Sequence, residues 1–293
     1  MERRTVLIVA NPYSGTRGNR RQVSALADAL IRHGLAPEVI WEPEERAARL
    51  CNGRLKDSCR CVVAAGGDGT VADVINERPE APLAVLPLGS ENLVAREFGF
   101  TCDVRRLAHA IVAGRSCTID LGRAGNRLFS LMVGVGFDAD VVRRVCRWRG
   151  QGPTLRRVSR ARYIKHVFQT MREYSYSPVE VEANGMRVRG THALVFNLPQ
   201  YALRMPFAPA ASGNDGALDW VVLQRPGLRN FLNYWWSIAR RPHSERSDIL
   251  RGVAARVHIT SDRLLPIQID GDAAGWTPVD IEVLPQALQV IVP

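Results

Sequence analysis

The amino-acid sequence predicts an α/β domain built on a parallel sheet, followed by a mainly antiparallel β-sandwich. Three observations carry this. Up to Gly114, apolar strand-like runs alternate with helix-like segments in the order β-α-β-α-β, which gives a parallel sheet with helices on its faces. Beyond Gly114 the chain becomes short strands and tight turns, with Gly125-Asn126 and Asn184-Gly185 as hairpin signals. A length of 293 residues with 46% hydrophobic content suffices for one large core or two ordinary ones, and the length favours two.

In chain order, residues 6–10 read as a buried strand ending at Asn11-Pro12-Tyr13-Ser14-Gly15, turn formers that can turn a nest of N–H groups towards a phosphate. Val23, Leu26, Ala27, Leu30 and Ile31 mark one face of a helix, with Gly34 as its stop. A strand near 38–41 and a charged helix near 44–50 follow. Residues 61–65 form a branched, apolar strand that runs into Gly66-Gly67-Asp68-Gly69-Thr70 and then a helix over 71–76. A strand, a glycine loop and a helix N-terminus together make an anion site, because glycine lets the backbone approach a ligand while the first helical N–H groups point outward. Residues 83–86 form a further strand, ending in Pro87-Leu88-Gly89-Ser90-Glu91-Asn92, and a short helix over 93–98 closes at Gly99. In an open parallel sheet the carboxyl ends of strands share one edge, so three such loops converge on one nucleotide-type crevice.

Composition narrows the chemistry. The formal charge is +10, and only Lys56 and Lys165 are lysines. There is no Gly-x-x-x-x-Gly-Lys-Ser/Thr, so phosphates must be held by backbone and arginine. Six cysteines without Cys-x-x-Cys spacing, and no N-terminal apolar segment with a cleavage site, read as reduced thiols in a cytosol, with zinc disfavoured. No apolar run reaches the roughly 18 residues of a spanning helix.

In the second half, strands are predicted at 117–121, 128–133, 179–183, 186–189, 192–197, 218–223, 255–260, 265–270, 279–284 and 288–292, which sets the domains at 1–118 and 119–293. One helical interruption stands out. Arg143, Arg144, Arg147, Arg149, Arg156, Arg157, Arg160, Arg162 and Lys165 occur with no Asp or Glu between them, and Ile164, Val167, Phe168 and Met171 form a helical stripe. The run is either a solvated basic face over a packed helix or a docking surface for anionic lipid headgroups. Nucleic acid is disfavoured, since neither ribonucleoprotein motifs nor a helix-turn-helix pattern is present. Phe231-Leu232-Asn233-Tyr234-Trp235-Trp236 with Arg240-Arg241 reads as core or as an interfacial anchor.

The motifs Asn11-Pro12-Tyr13-Ser14-Gly15, Gly66-Gly67-Asp68-Gly69-Thr70 and Pro87-Leu88-Gly89-Ser90-Glu91-Asn92 resemble those of the diacylglycerol kinase catalytic-domain family, bacterial lipid kinases related to sphingosine and ceramide kinases. The resemblance extends through Ile119-Asp120-Leu121-Gly122, Gly134-Val135-Gly136-Phe137-Asp138, Asp215-Gly216-Ala217-Leu218-Asp219 and Ile269-Asp270-Gly271-Asp272, nearly the whole chain. It implies an ATP- and Mg²⁺-dependent enzyme that phosphorylates a lipid hydroxyl, peripheral to the inner face of an anionic membrane. It also implies a last strand that returns towards the first domain. A homodimer is left open.

By this resemblance, Asn11, Pro12, Ser14, Gly15, Gly66, Gly67, Gly69, Thr70, Asp73, Gly89, Ser90 and Asn92 border the nucleotide. Asp68 serves the nucleotide side, acting through magnesium or on the acceptor hydroxyl. Asp272, with Asp270 beside it, takes the place of the family's proton acceptor, where a glutamate is usual. Asp215, with Ser212 and Ala217, matches a structural magnesium site. The plain alternatives are a surface turn at 270–272 and a hairpin turn at 215–216. Ala72-Asp73 replaces Asn-Glu, Ser90 replaces Thr, and Ala202-Leu203-Arg204-Met205 replaces a glycine-rich segment, which puts acceptor identity and turnover in question. An NAD kinase and a non-catalytic nucleotide- and membrane-binding homologue are the competing classes.

Overall fold

The computed structural model describes residues 3–12, 14, 19–50, 55–78, 80–150, 160–240 and 246–293. Contacts divide the chain into two units, Met1–Ile119 with Gln286–Pro293, and Asp120–Pro285. Among the described residues no helix is long and apolar enough to cross a membrane.

The first unit contains β1 (Thr5–Ala10), α1 (Asn19–Arg32), β2 (Ala36–Ile40), α2 (Pro43–Leu50), α3 (Leu55–Ser58), β3 (Cys59–Gly66), α4 (Asp68–Asn76), β4 (Leu83–Pro87), α5 (Leu93–Glu97) and α6 (Val104–Ala113). The strand order is β2-β1-β3-β4, and every pairing is parallel. Val6, Leu7 and Ile8 of β1 and Val62 and Val63 of β3 are fully buried, as central parallel strands covered on both faces require. The apolar face of α1 sits slightly differently from its prediction. Val23, Leu26 and Leu30 are buried together with Ala29, whereas Ile31, one residue further round the helix, is 58% exposed. Helix α6 carries two end signals that the periodicity analysis passed over. The Asp103 carboxylate accepts from the N–H groups of Arg105 and Arg106, and Gly114 closes the helix in the left-handed region.

The second unit takes in most of β5 (Ser116–Ala124), then β6 (Arg127–Phe129), β7 (Met132–Val135), α7 (Phe137–Gly150), α8 (Arg160–Glu173), β8 (Val179–Ala183), β9 (Met186–Gly190), β10 (His192–Phe196), β11 (Leu218–Leu223), α9 (Leu228–Arg240), β12 (Ile249–Ala254), β13 (Arg256–Thr260), β14 (Pro266–Ile269), β15 (Asp272–Trp276) and the start of β16 (Val279–Ile291). One antiparallel sheet has the order β12-β11-β10-β7-β14-β15. Strands β16, β13, β8 and β9 pair antiparallel in another layer. Apolar residues of both layers form one core that includes Phe129, Val133, Val195, Trp220, Val257 and Ile267. Strand β16 pairs with β13 near its start and with β4 at Val290. It is thus one strand through Pro285, where the sequence suggests two.

Candidate active site

At the carboxyl edge of the first sheet three loops are tied together by main-chain bonds. The N–H of Asn11 donates to Ala65 O (3.2 Å), and that of Leu88 to Gly66 O (2.8 Å). Asn11 Nδ2 reaches Thr70 Oγ1 at 3.4 Å. The glycine loop and the loop after β4 approach so closely that a Cβ added at Gly89 would lie 2.4 Å from Gly67 Cα. Above Gly69 nothing lies within 4 Å of where a Cβ would stand, and no side chain caps the N-terminus of α4. Helical N–H groups that lack a side-chain acceptor, next to open space, form an anion cradle.

The side chains of this edge have distinct tasks. Asp68 Oδ1 accepts from the Val94 N–H at 3.1 Å, so the carboxylate that opens α4 also satisfies the start of α5. Burial pushes the Asp68 pKa up and the charge of Glu91 adds to this, while the Val94 and Leu93 N–H groups oppose it. Asn92 faces its own loop. Its Oδ1 accepts from Gly89 N and its Nδ2 donates to Gly89 O, both at 2.9 Å, so it braces the loop, and its amide is already engaged. Asp73 points to Arg46 Nη1 at 3.1 Å, and Arg46 also holds Glu77 at 2.7 Å. That ion pair gives Asp73 a structural partner. Ser90 and Pro12 are exposed, the Ser14 N–H donates to Asn11 O, and Gly15 lies outside the described residues.

In the second unit, Asp270 corrects the sequence reading of its role. Its Oδ2 accepts from Ser130 N (2.8 Å) and Ser130 Oγ (3.2 Å), and its Oδ1 from Leu131 N (3.0 Å) and Met132 N (2.9 Å). Burial raises its pKa to about 6, against those bonds. A carboxylate with four donors has no lone pair to offer an acceptor hydroxyl, so Asp270 is a positioning residue. It holds the turn at Asp270 and Gly271, both left-handed (φ 49° and 86°), from which Asp272 opens β15. The Asp272 carboxylate is partly exposed and takes a 2.6 Å ion pair from Arg127.

The predicted magnesium residues make a compact turn. The Ala217 N–H donates to Asp215 Oδ1 (3.1 Å), the Ser212 hydroxyl donates to Asn214 Oδ1 (2.7 Å), and the Gly216 N–H donates to Asp120 Oδ2 (2.7 Å). Burial, and then the charge of Asp215, raise the Asp219 pKa to about 6. Two carboxylates close enough to repel each other suit a hard, oxygen-seeking cation. No cluster of three or more His, Cys, Asp or Glu exists among the described residues, so waters or main-chain oxygens would complete any such site.

Sequence reasoning gave no role to an apolar cavity in this unit. Phe137, Val141, Val167, Leu194, Phe207, Leu223, Phe231 and Trp235 line a space of ≈ 30 Å³, together with Asp138, His192, Tyr201, Ala202 and Leu203. Asp138 accepts from Tyr201 OH (2.6 Å) and Gln268 Nε2 (2.8 Å), and burial raises its pKa. Glycine is required beside this carboxylate, since a Cβ at Gly134 would stand 2.5 Å from Asp138 Oδ2. His192 is pushed down to about 3 by burial and is neutral at physiological pH. Ala202-Leu203-Arg204, which replaces the glycine-rich segment, keeps a backbone that suits glycine, with Leu203 and Arg204 both at φ 58°.

Two family models match the chain, the diacylglycerol kinase catalytic domain over residues 5–124 and the YegS C-terminal NAD kinase beta sandwich-like domain over 131–292. The chain belongs to the diacylglycerol kinase catalytic-domain family. Curated relatives named diacylglycerol kinase include one from Mycobacterium tuberculosis, 27% identical over 98% of this chain and 95% of its own length, and one from Staphylococcus carnosus, 24% identical over 99% and 96%. A crystal structure of a diacylglycerol kinase from Bacillus anthracis superposes with a TM-score of 0.74 at 19% identity, covering 100% of this chain and 98% of that one, which establishes the shared fold. Family membership accounts for the glycine loops at the sheet edge and for the sandwich that follows them.

Proposed function

We propose that the protein is an ATP-dependent lipid kinase that transfers the γ-phosphate of ATP to a hydroxyl of a lipid such as a diacylglycerol or a sphingoid base. The observation that carries this is the cradle at the first sheet edge, where the facing glycines and open helix N-terminus suit a phosphate chain. The apolar cavity of the second unit favours a lipid acceptor over a dinucleotide such as NAD. Phosphoryl transfer rests on positioning and charge neutralisation, with a base near the attacking hydroxyl. The loop amides supply the positioning. Asp68 acts on the nucleotide side, and Asp272, aimed by the anchored Asp270, is the candidate proton acceptor. When bound, Mg²⁺ neutralises phosphate charge. Asp68→Asn keeps an oxygen for the Val94 N–H and so leaves the fold intact, while removing the charge. Turnover is expected to fall by about 10²–10³-fold. ATP turnover measured with a lipid acceptor tests this, and retained activity contradicts the role.

The acidic turn at Asp215 supports a cation of structural rather than catalytic use, and its signature is thermodynamic. Folded Asp219 binds its proton more tightly than the unfolded chain does. Its contribution to stability is therefore full below the ordinary value of 3.8 and is lost as pH rises to about 6. Urea unfolding of the wild type is expected to show stability declining across this window, with added Mg²⁺ flattening the decline. Asp219→Asn should remove this response to Mg²⁺. An identical response in the variant contradicts the site.

A further inference from the structure

Helix α9 has two faces with different partners. Phe231, Tyr234 and Ile238 are buried, and the Tyr234 hydroxyl accepts from Arg225 N (2.9 Å) and donates to Asp248 O (3.2 Å), which fixes the helix to the sandwich. Phe231 and Trp235 wall the apolar cavity. On the outer face Leu228, Leu232 and Trp236 follow one another at i, i+4 and i+8, with exposures of 37%, 46% and 63%. The exposed Leu203, which lines the cavity, and Phe168, next to the cavity-lining Val167, add to the apolar surface of the same unit.

The charged side chains on the helix itself, Arg229 and Arg240, are both basic. The helix contains no Asp or Glu, and exposed Arg229 and Arg240 have no acidic partner among the described residues. The Arg240 guanidinium stacks over the Trp236 ring at 4.0 Å, which places a cation beside the aromatic ring. Large apolar side chains in line, an aromatic with an indole N–H, and flanking arginines suit the boundary between anionic headgroups and acyl chains. The protein's +10 formal charge adds long-range attraction to such a surface.

We propose that α9 is an interfacial helix, whose Leu228, Leu232 and Trp236 enter an anionic bilayer while its inner face walls the acceptor cavity. This deepens the lipid-kinase reading and, for the cavity's role, rests on it. A space of ≈ 30 Å³ holds about one or two waters, whereas ligand pockets run to about 300–1,000 Å³. The cavity must therefore widen to admit an acyl chain, and the wall formed by Phe231 and Trp235 belongs to the inserting helix. Basic residues 156–162, singled out in the sequence for the same purpose, lie where no side chain is described, so α9 carries the inference alone.

The test compares the full-length protein with the triple variant Leu228→Gln, Leu232→Gln, Trp236→Gln, all at exposed positions outside the cavity lining. Sedimentation with phosphatidylglycerol–phosphatidylcholine vesicles is expected to show partitioning about tenfold weaker or worse. Arg229→Gln with Arg240→Gln should cost about fivefold per charge at low salt. Phosphorylation of a water-soluble short-chain diacylglycerol should be unchanged in the triple variant, while phosphorylation of vesicle-borne lipid falls. Undiminished vesicle partitioning overturns the proposal, as does a variant whose only change is loss of a solution dimer. If the wild type phosphorylates neither form of lipid, the lipid-kinase reading fails, while the vesicle partitioning still decides the helix's role.

Discussion

Gly89→Ala is expected to lower kcat/KM for ATP by about 100-fold or more, the scale that misplacing a positioning group by about 1 Å produces. The added methyl would stand 2.4 Å from Gly67 Cα, 2.8 Å from Asn92 Oδ1 and 3.1 Å from Gly67 N. Two of these atoms are Gly67 backbone, and the third is the Asn92 side-chain oxygen, already held by Gly89 N, so the two loops must part. Overpacking of this kind also costs about 1–3 kcal/mol of stability. Gly69→Ala separates the two effects. Nothing lies within 4 Å of its added methyl, and alanine is the better helix former, so the melting temperature should hold or rise while ATP affinity falls. If Gly69→Ala binds ATP as the wild type does, the open space above it is not the phosphate site.

Asp270→Ala is expected to unfold the second unit or to leave it marginal. The N–H groups of Ser130, Leu131 and Met132 lose their acceptor inside the protein, along with the Ser130 hydroxyl. Each buried donor left unsatisfied costs about 1–3 kcal/mol, so the total is about 4 kcal/mol or more, a large share of the roughly 5–15 kcal/mol by which domains are stable. Urea unfolding followed by circular dichroism measures this. A variant within about 1 kcal/mol of the wild type would show that water replaces the carboxylate, and Asp270 would lose its positioning role.

The same carboxylate explains one of the places where sequence reading stopped short. Residues 128–133 read as one strand, yet the structure breaks it into β6 and β7 at Ser130 and Leu131, whose N–H groups turn to Asp270. An aspartate 139 or 140 residues away in sequence leaves no local trace. Strand β15 was equally hidden. Asp272-Ala273-Ala274-Gly275-Trp276 has no β-branched residue, and its pairing with β14, Ile269 opposite Asp272, supplies what propensity lacks. The basic stretch read as a single helical interruption is two helices, α7 and α8. Arg143 and Arg144 are not bare there, because Asp140 and Glu173, just outside the run, pair with them.

What was legible followed from chemistry with a short range. Runs of Val, Ile and Leu marked β1, β3 and β4, and the glycines between them marked loops that had to pass close to one another, as Gly67 and Gly89 do. The candidate site was legible to the same extent. The glycines were visible as backbone positions, whereas the side-chain tasks of Asn92, Asp73 and Asp270 depend on partners that only the fold supplies. The apolar cavity drew on segments from residue 137 to residue 235 and had no contiguous signature at all. Helix α9 shows the ambiguity in one element. Its aromatic cluster read as core or anchor, and the structure divides it by face, with Tyr234 1% and Trp236 63% exposed.

The central claim is phosphoryl transfer from ATP to a lipid hydroxyl. The most direct measurement is transfer of labelled phosphate from ATP–Mg²⁺ to a panel of diacylglycerol, sphingosine, ceramide, phosphatidylglycerol and NAD. The account predicts a labelled lipid, formed about 10²–10³-fold more slowly by Asp68→Asn and also strongly reduced by Gly89→Ala. Labelled NAD, or ATP bound with no lipid product from any member of the panel, would contradict it.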